Sequence, residues 1–351
     1  MRSRALYFLE PYRVGLVEEE LAPPGPGQVR VETLVSAISP GTELLIYRGR
    51  APRRLAADVS LPALAGATLD FPLKYGYAAV GRVTVLGPGV EAAWEGRLVF
   101  AFQPHAEGFV ADLASLLPLP PGAAPEEAAL LPNLETALTL TLDGRPLVGE
   151  RVVVFGQGIV GLLLTSVLAR FPLELLVTVD PCPNRRLASE TAGAHVSLDP
   201  AAPDFRECLE ALLGQERPCP GADLAFEVSG RPEALDLALE CLGFHGRVVI
   251  GSWYGEQVAP LHLGGEFHRR RQRLISSQVS TIAPELSGRW HKPRLLALAW
   301  RLLPELGVGR FITHRLPFSQ APEAYRLLDE HPEMALQVVF TYGGGGAGEK
   351  V

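Results

Sequence analysis

The sequence predicts an α/β protein with two domains: a doubly wound parallel sheet in the middle of the chain and a β-rich, barrel-like domain before it. A short β-branched run, RVVVF (151–155), leads directly into a glycine-rich turn, an apolar helix and a second strand. Four further strand-like runs follow before residue 280. The chain before residue 120 instead carries short strands separated by Gly and Pro, which is typical of small barrels.

In the first part, apolar and polar residues alternate with a period of two, which predicts strands. These strands are expected at 28–39, 80–90, 97–100 and 108–120. The spacing then becomes helical over 120–142, where Pro125 and the two glutamates after it suit a helix start.

In the middle part, strand-like runs alternate with helical stretches, which predicts a parallel sheet. The runs lie at 151–155, 173–180, 194–198, 222–229, 246–252 and 273–279. The first helix, 158–171, is nearly all apolar, as expected of a helix buried against a sheet. Beyond about residue 280 we expect a long helix, a strand and a final helix at 293–306, 311–318 and 321–330.

The glycines of GQGIVG lie where the first central strand turns into its helix, the context that a dinucleotide-binding turn requires. Gly156 permits the tight turn, Gly158 lets the backbone approach a pyrophosphate, and Gly161 lets helix and strand pack closely. Ile159 and Val160 begin the helix, whose free N–H groups and positive dipole end favour an anion. The turn therefore predicts a bound dinucleotide.

Asp180 ends the second central strand, 19 residues after the last glycine of the turn. A carboxylate at this place can bind both ribose hydroxyls of NAD and would repel the 2′-phosphate of NADP. Arg185 and Arg186 follow closely and could compensate for that charge. NAD is the expected cofactor and NADP the alternative; a purely structural Asp180, as the N-cap of the next helix, is the competing interpretation.

Composition and charge argue against nucleic-acid and membrane partners. The net charge of −7 argues against a nucleic-acid partner. The basic run HRRRQR (268–273) is interpreted as a solvated edge or ion-pair site, with a contact to a cofactor phosphate as the alternative. The N-terminal stretch has no apolar signal-peptide core, and charged residues and Pro172 interrupt the apolar stretch 152–179. No membrane partner is expected, and four cysteines without C-x-x-C spacing predict reduced thiols and a cytoplasmic location.

Several stretches together resemble the medium-chain dehydrogenase/reductase superfamily. They are PGTELLIYRG (40–49), KYGYAAVGRVTVLGPGV (74–90), VVVFGQGIVG (152–161), FEVSGRPEALDLAL (226–239) and ITHRLPFSQAPEAYRLL (312–328). SPGTE, YGYAAVGRV and LISSQVSTI are most similar to the subgroup around 2-desacetyl-2-hydroxyethyl bacteriochlorophyllide a dehydrogenase.

The resemblance implies a division into domains. A GroES-like catalytic barrel would comprise 1–145 and 280–345, and a Rossmann domain 146–279. A flexible tail would occupy 343–351, since GGGGAGEKV has no core-forming residues. The resemblance also implies a homodimer formed through the last Rossmann strand, 273–280.

The departures from the zinc-dependent relatives imply a site without metal. Where those relatives carry a ligand cysteine and a ligand histidine, this chain has Pro40 and Tyr77. The position of the third ligand falls at Pro132 or Asn133, and no cysteine precedes Cys182. No zinc is therefore expected.

A catalytic zinc needs three protein ligands. An unusual set formed by Glu43, Glu135 and His105 is the alternative to a metal-free site.

Without a metal, a side chain must polarise the substrate oxygen. Three candidates follow from the resemblance: Thr42 at the proton-relay position, Tyr77 in place of a zinc ligand, and His105 where the zinc lobe is missing. Each has a structural alternative, which is a turn hydrogen bond for Thr42, a packed aromatic for Tyr77 and a surface-loop position for His105. Thr136, with Glu135 beside it, lies where relatives contact the nicotinamide.

The sequence thus predicts an NAD(P)-dependent enzyme that transfers a hydride between the nicotinamide and an alcohol or carbonyl carbon of a small molecule. Reduction of an activated C=C bond, as in quinone-reductase-like relatives, is one alternative. A nucleotide-binding protein without turnover is the other.

Overall fold

The computed structural model describes residues 2–214 and 220–343. The strands are β1 Arg2–Glu10, β2 Arg13–Glu20, β3 Gln28–Ala37, β4 Leu73–Lys74, β5 Ala79–Leu86, β6 Leu98–Ala101, β7 Gly108–Asp112, β8 Leu116–Pro118, β9 Arg151–Phe155, β10 Leu175–Val179, β11 Val196–Leu198, β12 Ala222–Glu227, β13 Leu242–Ile250, β14 Arg273–Ser276, β15 Ile312–Pro317 and β16 Gln337–Thr341. The helices are α1 Pro40–Tyr47, α2 Pro125–Ala128, α3 Leu131–Gly144, α4 Ile159–Leu168, α5 Pro183–Thr191, α6 Phe205–Leu212, α7 Pro232–Glu240, α8 Lys292–Leu306 and α9 Ala321–Glu330.

The chain forms two compact units. The barrel unit contains residues up to 132 together with those from 312 onward, and the sheet unit contains residues 133–311. Most of α3 and all of α8 therefore group with the sheet unit. The domain boundaries expected at 145 and 280 stay a prediction.

The sheet unit is built on six parallel strands in the order β11-β10-β9-β12-β13-β14. This is the doubly wound order in which a dinucleotide binds where the winding reverses, here between β9 and β12. Every residue of β9 is buried, as expected of a central strand covered by helices on both faces. The predicted Rossmann sheet is confirmed.

The barrel unit is mainly antiparallel. Its larger sheet has the order β15-β16-β3-β5-β6-β8, with β7 also pairing with β3, and a smaller sheet has the order β2-β1-β4. Within the larger sheet, the final strand β16 lies between β15 and β3, parallel to the first and antiparallel to the second. These mixed sheets confirm the expected GroES-like barrel.

The alternation pattern located β3 and β5 to β8 but not β1, β2 or β16. The helix expected over 120–142 is instead two helices, α2 and α3. Pro132 lies in the first turn of α3, where a residue without an N–H group is tolerated. The tail expected at 343–351 lies outside the described residues except for Gly343.

Two further expectations concern thiols and membranes. Cys182, Cys208 and Cys241 form no disulfide among the described residues, and Cys219 lies outside them. Among the helices in the described part of the chain, none has the length and apolar character needed to cross a membrane.

Candidate functional site

The glycine turn of the sheet unit joins β9 to α4. Gly156 adopts a left-handed conformation with φ of 96°. A Cβ atom there would lie 2.5 Å from Ser229 Cα, and one on Gly161 would lie 2.0 Å from the Gly156 carbonyl oxygen. Both contacts are far inside van der Waals distance, so these two positions require glycine in order to close the turn.

Gly158 is different, because nothing lies within 4 Å of a Cβ placed on it. It is the N-cap of α4, and Ile159 and Val160 form the first turn. The first N–H groups of a helix have no partner inside the helix. The open space beside Gly158, together with these donors, fits the pyrophosphate of a dinucleotide.

The Asp180 carboxylate is hydrogen-bonded to the backbone of the glycine turn. This carboxylate is 3% exposed and accepts the backbone N–H of Gln157 at 2.7 Å and that of Cys182 at 2.9 Å. The N-cap of α5 is Cys182, so the interpretation of Asp180 as a helix N-cap is wrong. Because a carboxylate offers about four acceptor positions, Asp180 retains capacity for ribose hydroxyls.

The two arginines after Asp180 have separate surroundings. Arg186 donates to the Asp180 carbonyl at 2.9 Å and pairs with Asp199 at 3.1 Å, so it is tied to the protein. Arg185 Nη1 lies 4.0 Å from Asp180 Oδ2. Arg185 is therefore the arginine placed beside the Asp180 carboxylate.

Thr136 lies on α3 and is half-buried. Its neighbour Glu135 is 2% exposed and forms an ion pair with Lys292. Burial raises the pKa of Glu135, and the Lys292 ammonium opposes that effect. Glu135 therefore has a partner of opposite charge within the sheet unit.

In the barrel unit, three hydroxyl groups meet at the start of α1; we call Ser39, Thr42 and Tyr77 the hydroxyl cluster. The Tyr77 hydroxyl lies 2.5 Å from Ser39 Oγ and 3.4 Å from Thr42 Oγ1. Ser39 is the N-cap of α1, and Tyr77 lies on the connection from β4 to β5. Two of the three predicted donors are thus brought together.

Burial raises the pKa of Tyr77 to about 12, although the hydrogen bonds between its hydroxyl and those of Ser39 and Thr42 lower the pKa. The phenol therefore keeps its proton at neutral pH. The ring is half-buried and packs against the barrel core, so Tyr77 is both a packed aromatic and a hydroxyl within the cluster.

His105, the third candidate, is fully buried. Its Nδ1 lies 2.6 Å from Ser36 Oγ and its Nε2 3.1 Å from Glu43 Oε2. The surface-loop interpretation of His105 is therefore wrong: the segment between β6 and β7 folds inward and satisfies both ring nitrogens. In this position His105 reaches a substrate only through its hydrogen-bonded neighbours.

Glu43 is the centre of this buried group. It is fully buried, its Oε1 accepts the Ser39 N–H at 2.7 Å, and its Oε2 is bonded to both His105 and the Tyr325 hydroxyl. We call Glu43, His105 and Tyr325 the buried triad. Sequence reasoning missed Ser39 and Tyr325: Ser39 precedes a Pro at a helix start, which was a usable signal, but nothing local marks Tyr325, on α9.

The side chains at the metal-ligand positions do not fit a zinc ion. Pro40 has no donor atom, and the Tyr77 hydroxyl is engaged in the hydroxyl cluster. Zinc sites use Cys, His, Asp or Glu. Within residues 2–214 and 220–343, no three such side chains are grouped so that they could hold a metal ion.

No family model matches the chain, whereas individual relatives do. D-guloside 3-dehydrogenase of Escherichia coli K12 is 25% identical, over 97% of this chain and 100% of its own length. 2-Desacetyl-2-hydroxyethyl bacteriochlorophyllide A dehydrogenase of Cereibacter sphaeroides is 26% identical, over 95% and 96%.

Two solved structures share the fold. A short chain alcohol dehydrogenase from E. coli CFT073, complexed with NADH, aligns with a TM-score of 0.76 at 19% identity, covering 97% of this chain and 99% of that one. A dehydrogenase from Sinorhizobium meliloti 1021, described as zinc-binding and bound to NADP, aligns with a TM-score of 0.74 at 17% identity, with the same coverage.

Over nearly its whole length the chain is similar to dehydrogenases of the medium-chain dehydrogenase/reductase superfamily. The predicted resemblance to the bacteriochlorophyllide dehydrogenase is confirmed as a similarity over nearly the whole chain. The relatives are dehydrogenases, which confirms the expectation of an oxidoreductase.

Proposed function

We propose that this chain is a zinc-independent, NAD(P)-dependent dehydrogenase acting on an alcohol or carbonyl carbon of a small molecule. The observation that carries the proposal is the hydroxyl cluster, in which Tyr77, the residue at one expected ligand position, is hydrogen-bonded to Ser39 and Thr42. The absence of zinc is part of the proposal, and its support is the donor set, since Pro40 and Tyr77 do not suit the ion.

The glycine turn supports the choice of cofactor class. Gly158 leaves room for a pyrophosphate, and the start of α4 offers free N–H groups to it. The structural neighbours bound to NADH and to NADP agree with a nicotinamide cofactor. We infer a preference for NAD, because the buried charge of Asp180 would oppose a 2′-phosphate; Arg185 is the residue that could reverse it.

A bound nicotinamide supplies or accepts the hydride. In the direction of reduction, the Tyr77 hydroxyl holds the substrate oxygen and gives it a proton as the carbonyl carbon becomes an alcohol carbon. Water then returns a proton to the phenolate, which the half-buried position of Tyr77 permits. Thr42 is the second donor, and His105 contributes through Glu43 and Ser39.

The substrate class is tested with pre-reduced cofactor carrying deuterium at the nicotinamide C4. A panel of ketones, keto sugars and enones is offered with equal concentrations of labelled NADH. Deuterium on an alcohol carbon supports the proposal, whereas deuterium on the β-carbon of the former C=C bond indicates an enone reductase. Tight NADH binding without transfer to any panel member indicates a nucleotide-binding protein.

We also propose a homodimer formed through β14, the edge strand of the parallel sheet. An open strand edge favours pairing with a second copy. Sedimentation velocity at micromolar concentration is expected to show a dimer, and a stable monomer there would contradict the proposal. We also infer a cytoplasmic location, because the cysteines of the described residues form no disulfide.

A further inference from the structure

Ser39 is the N-cap of α1, but its hydroxyl does not cap the helix. A serine at a helix N-cap normally accepts an N–H from the second or third residue of the helix. The Ser39 side chain makes no such bond to α1. Among the described residues its hydroxyl bonds to Tyr77 alone, at 2.5 Å.

The buried triad takes over the stabilisation of the helix start. Glu43 reaches back and accepts the Ser39 N–H at 2.7 Å, which fixes the Ser39 backbone. His105 and Tyr325 in turn hold Glu43, and the side chains of all three triad residues are fully buried. Ser39 is thus held from the inside of the barrel, with its hydroxyl left for Tyr77.

In the structure the Tyr77 hydroxyl donates its hydrogen bond to Ser39 Oγ. A phenol has a single proton, whereas a serine hydroxyl can donate one bond and accept others. When a substrate oxygen takes the Tyr77 proton, this bond can only persist if the Ser39 hydroxyl turns and donates to the phenolate. The phenolate left after proton transfer is then stabilised.

We propose that Ser39 is a positioning residue for Tyr77: its oxygen accepts from the Tyr77 hydroxyl before the reaction, and its hydroxyl turns to donate to the phenol oxygen once the substrate takes the Tyr77 proton. This inference rests on the proposed role of Tyr77 as donor. The lowering effect of the Ser39 hydrogen bond on the pKa of Tyr77 agrees with it.

The test uses the full chain with a fluorinated tyrosine at position 77, whose more acidic phenol titrates at lower pH and is followed by ¹⁹F NMR. Ser39→Ala is expected to raise the pKa of this phenol, and Ser39→Thr, which keeps the hydroxyl, is expected to restore it. Ser3→Ala is the matched control, because it removes another buried serine hydroxyl of the barrel unit that bonds only to the Gly108 backbone among the described residues. This arm needs no substrate.

The second arm measures turnover with the panel member that accepts deuterium. Ser39→Ala is expected to lower kcat roughly 10- to 100-fold with little change in KM, the effect of losing one hydrogen bond to a charged group. In a Tyr77→Phe background the same change should have no further effect.

Two results would overturn the inference. One is a phenol titration that Ser39→Ala leaves unchanged; the other is a loss of kcat that persists in the Tyr77→Phe background. If no panel member turns over, the proposed function fails while the ¹⁹F titration still decides the Ser39 contact.

Discussion

The glycine turn and the hydroxyl cluster are assembled in opposite ways. The turn is made of backbone, from six consecutive residues (156–161) and one carboxylate beneath them. The hydroxyl cluster and its buried triad are made of side chains from four separate places in the chain, between Ser39 and Tyr325. A backbone site therefore has a sequence signature in its spacing, whereas a side-chain site has none until the fold brings its members together.

Gly158→Val tests the glycine turn and has the largest expected effect. We expect it to abolish binding of NADH and NADPH, because the branched side chain would fill the open space assigned to the pyrophosphate. Stability should change little, since φ at this residue is −68° and no atom lies within 4 Å of the new Cβ. Fluorescence titration with NADH and thermal unfolding measure the two effects.

The matched control is Gly288→Val, which adds the same side chain in open space elsewhere in the sheet unit and should bind NADH normally. Gly161→Val should behave differently from both, since its Cβ would lie 2.0 Å from a carbonyl oxygen and prevent the turn from closing. Retained NADH binding in Gly158→Val would show that the glycine turn does not bind the pyrophosphate.

The corresponding test of the side-chain site is Tyr77→Phe, which keeps the ring packing and removes the hydroxyl. Positioned proton transfer contributes about 10²–10⁴-fold, so we expect turnover to fall within that range while NADH affinity is unchanged. Full activity in this variant would make Tyr77 a core aromatic only.

A pH profile sharpens the same assignment. Because the pKa of Tyr77 is raised to about 12, the proton donor is present at all lower pH values and is lost only above that value. The rate of reduction should therefore show no Tyr77 ionisation between neutrality and about pH 10. A loss of activity in that range that disappears in Tyr77→Phe would contradict the elevated pKa.

Substitutions of Asp180 are expected to have a smaller effect, on the affinities for NADH and NADPH. Asp180→Ala should weaken NADH binding about tenfold, the loss expected from its hydrogen bonds. Asp180→Asn keeps an acceptor and removes the charge, so it should reduce the preference for NADH over NADPH without displacing Gln157. Isothermal titration of both cofactors measures this, and tighter binding of NADPH by the unmodified protein would reject the NAD preference.

The smallest expected effect is that of chelators, which should leave activity unchanged. Elemental analysis of the purified protein should find no stoichiometric zinc. One zinc per chain would refute the metal-free mechanism and return Glu43 and His105 to the role of ligands.

The sequence was sufficient for the parallel sheet because β-branched runs and glycine spacing are local signals. It placed Gly156, Gly158, Gly161 and Asp180, whose geometry agrees with the predicted turn. It could not place His105, because the contacts that bury this ring come from β3 and α1, which lie far away in sequence. The N-terminal strands were missed since β2 is exposed along much of its length and lacks a regular alternation.

The position of β16 in the barrel sets an order of events during synthesis. Residues 339–341 pair with residues 35–37 of β3, and Tyr325 bonds to Glu43, so the barrel receives essential parts from the end of the chain. The sheet unit is continuous in sequence and can fold once residue 311 has left the ribosome. Until β16 is synthesised, residues 35–37 of β3 have an unpaired edge, and until Tyr325 is synthesised the Glu43 carboxylate lacks that partner. A nascent chain can therefore complete its sheet unit before its buried triad.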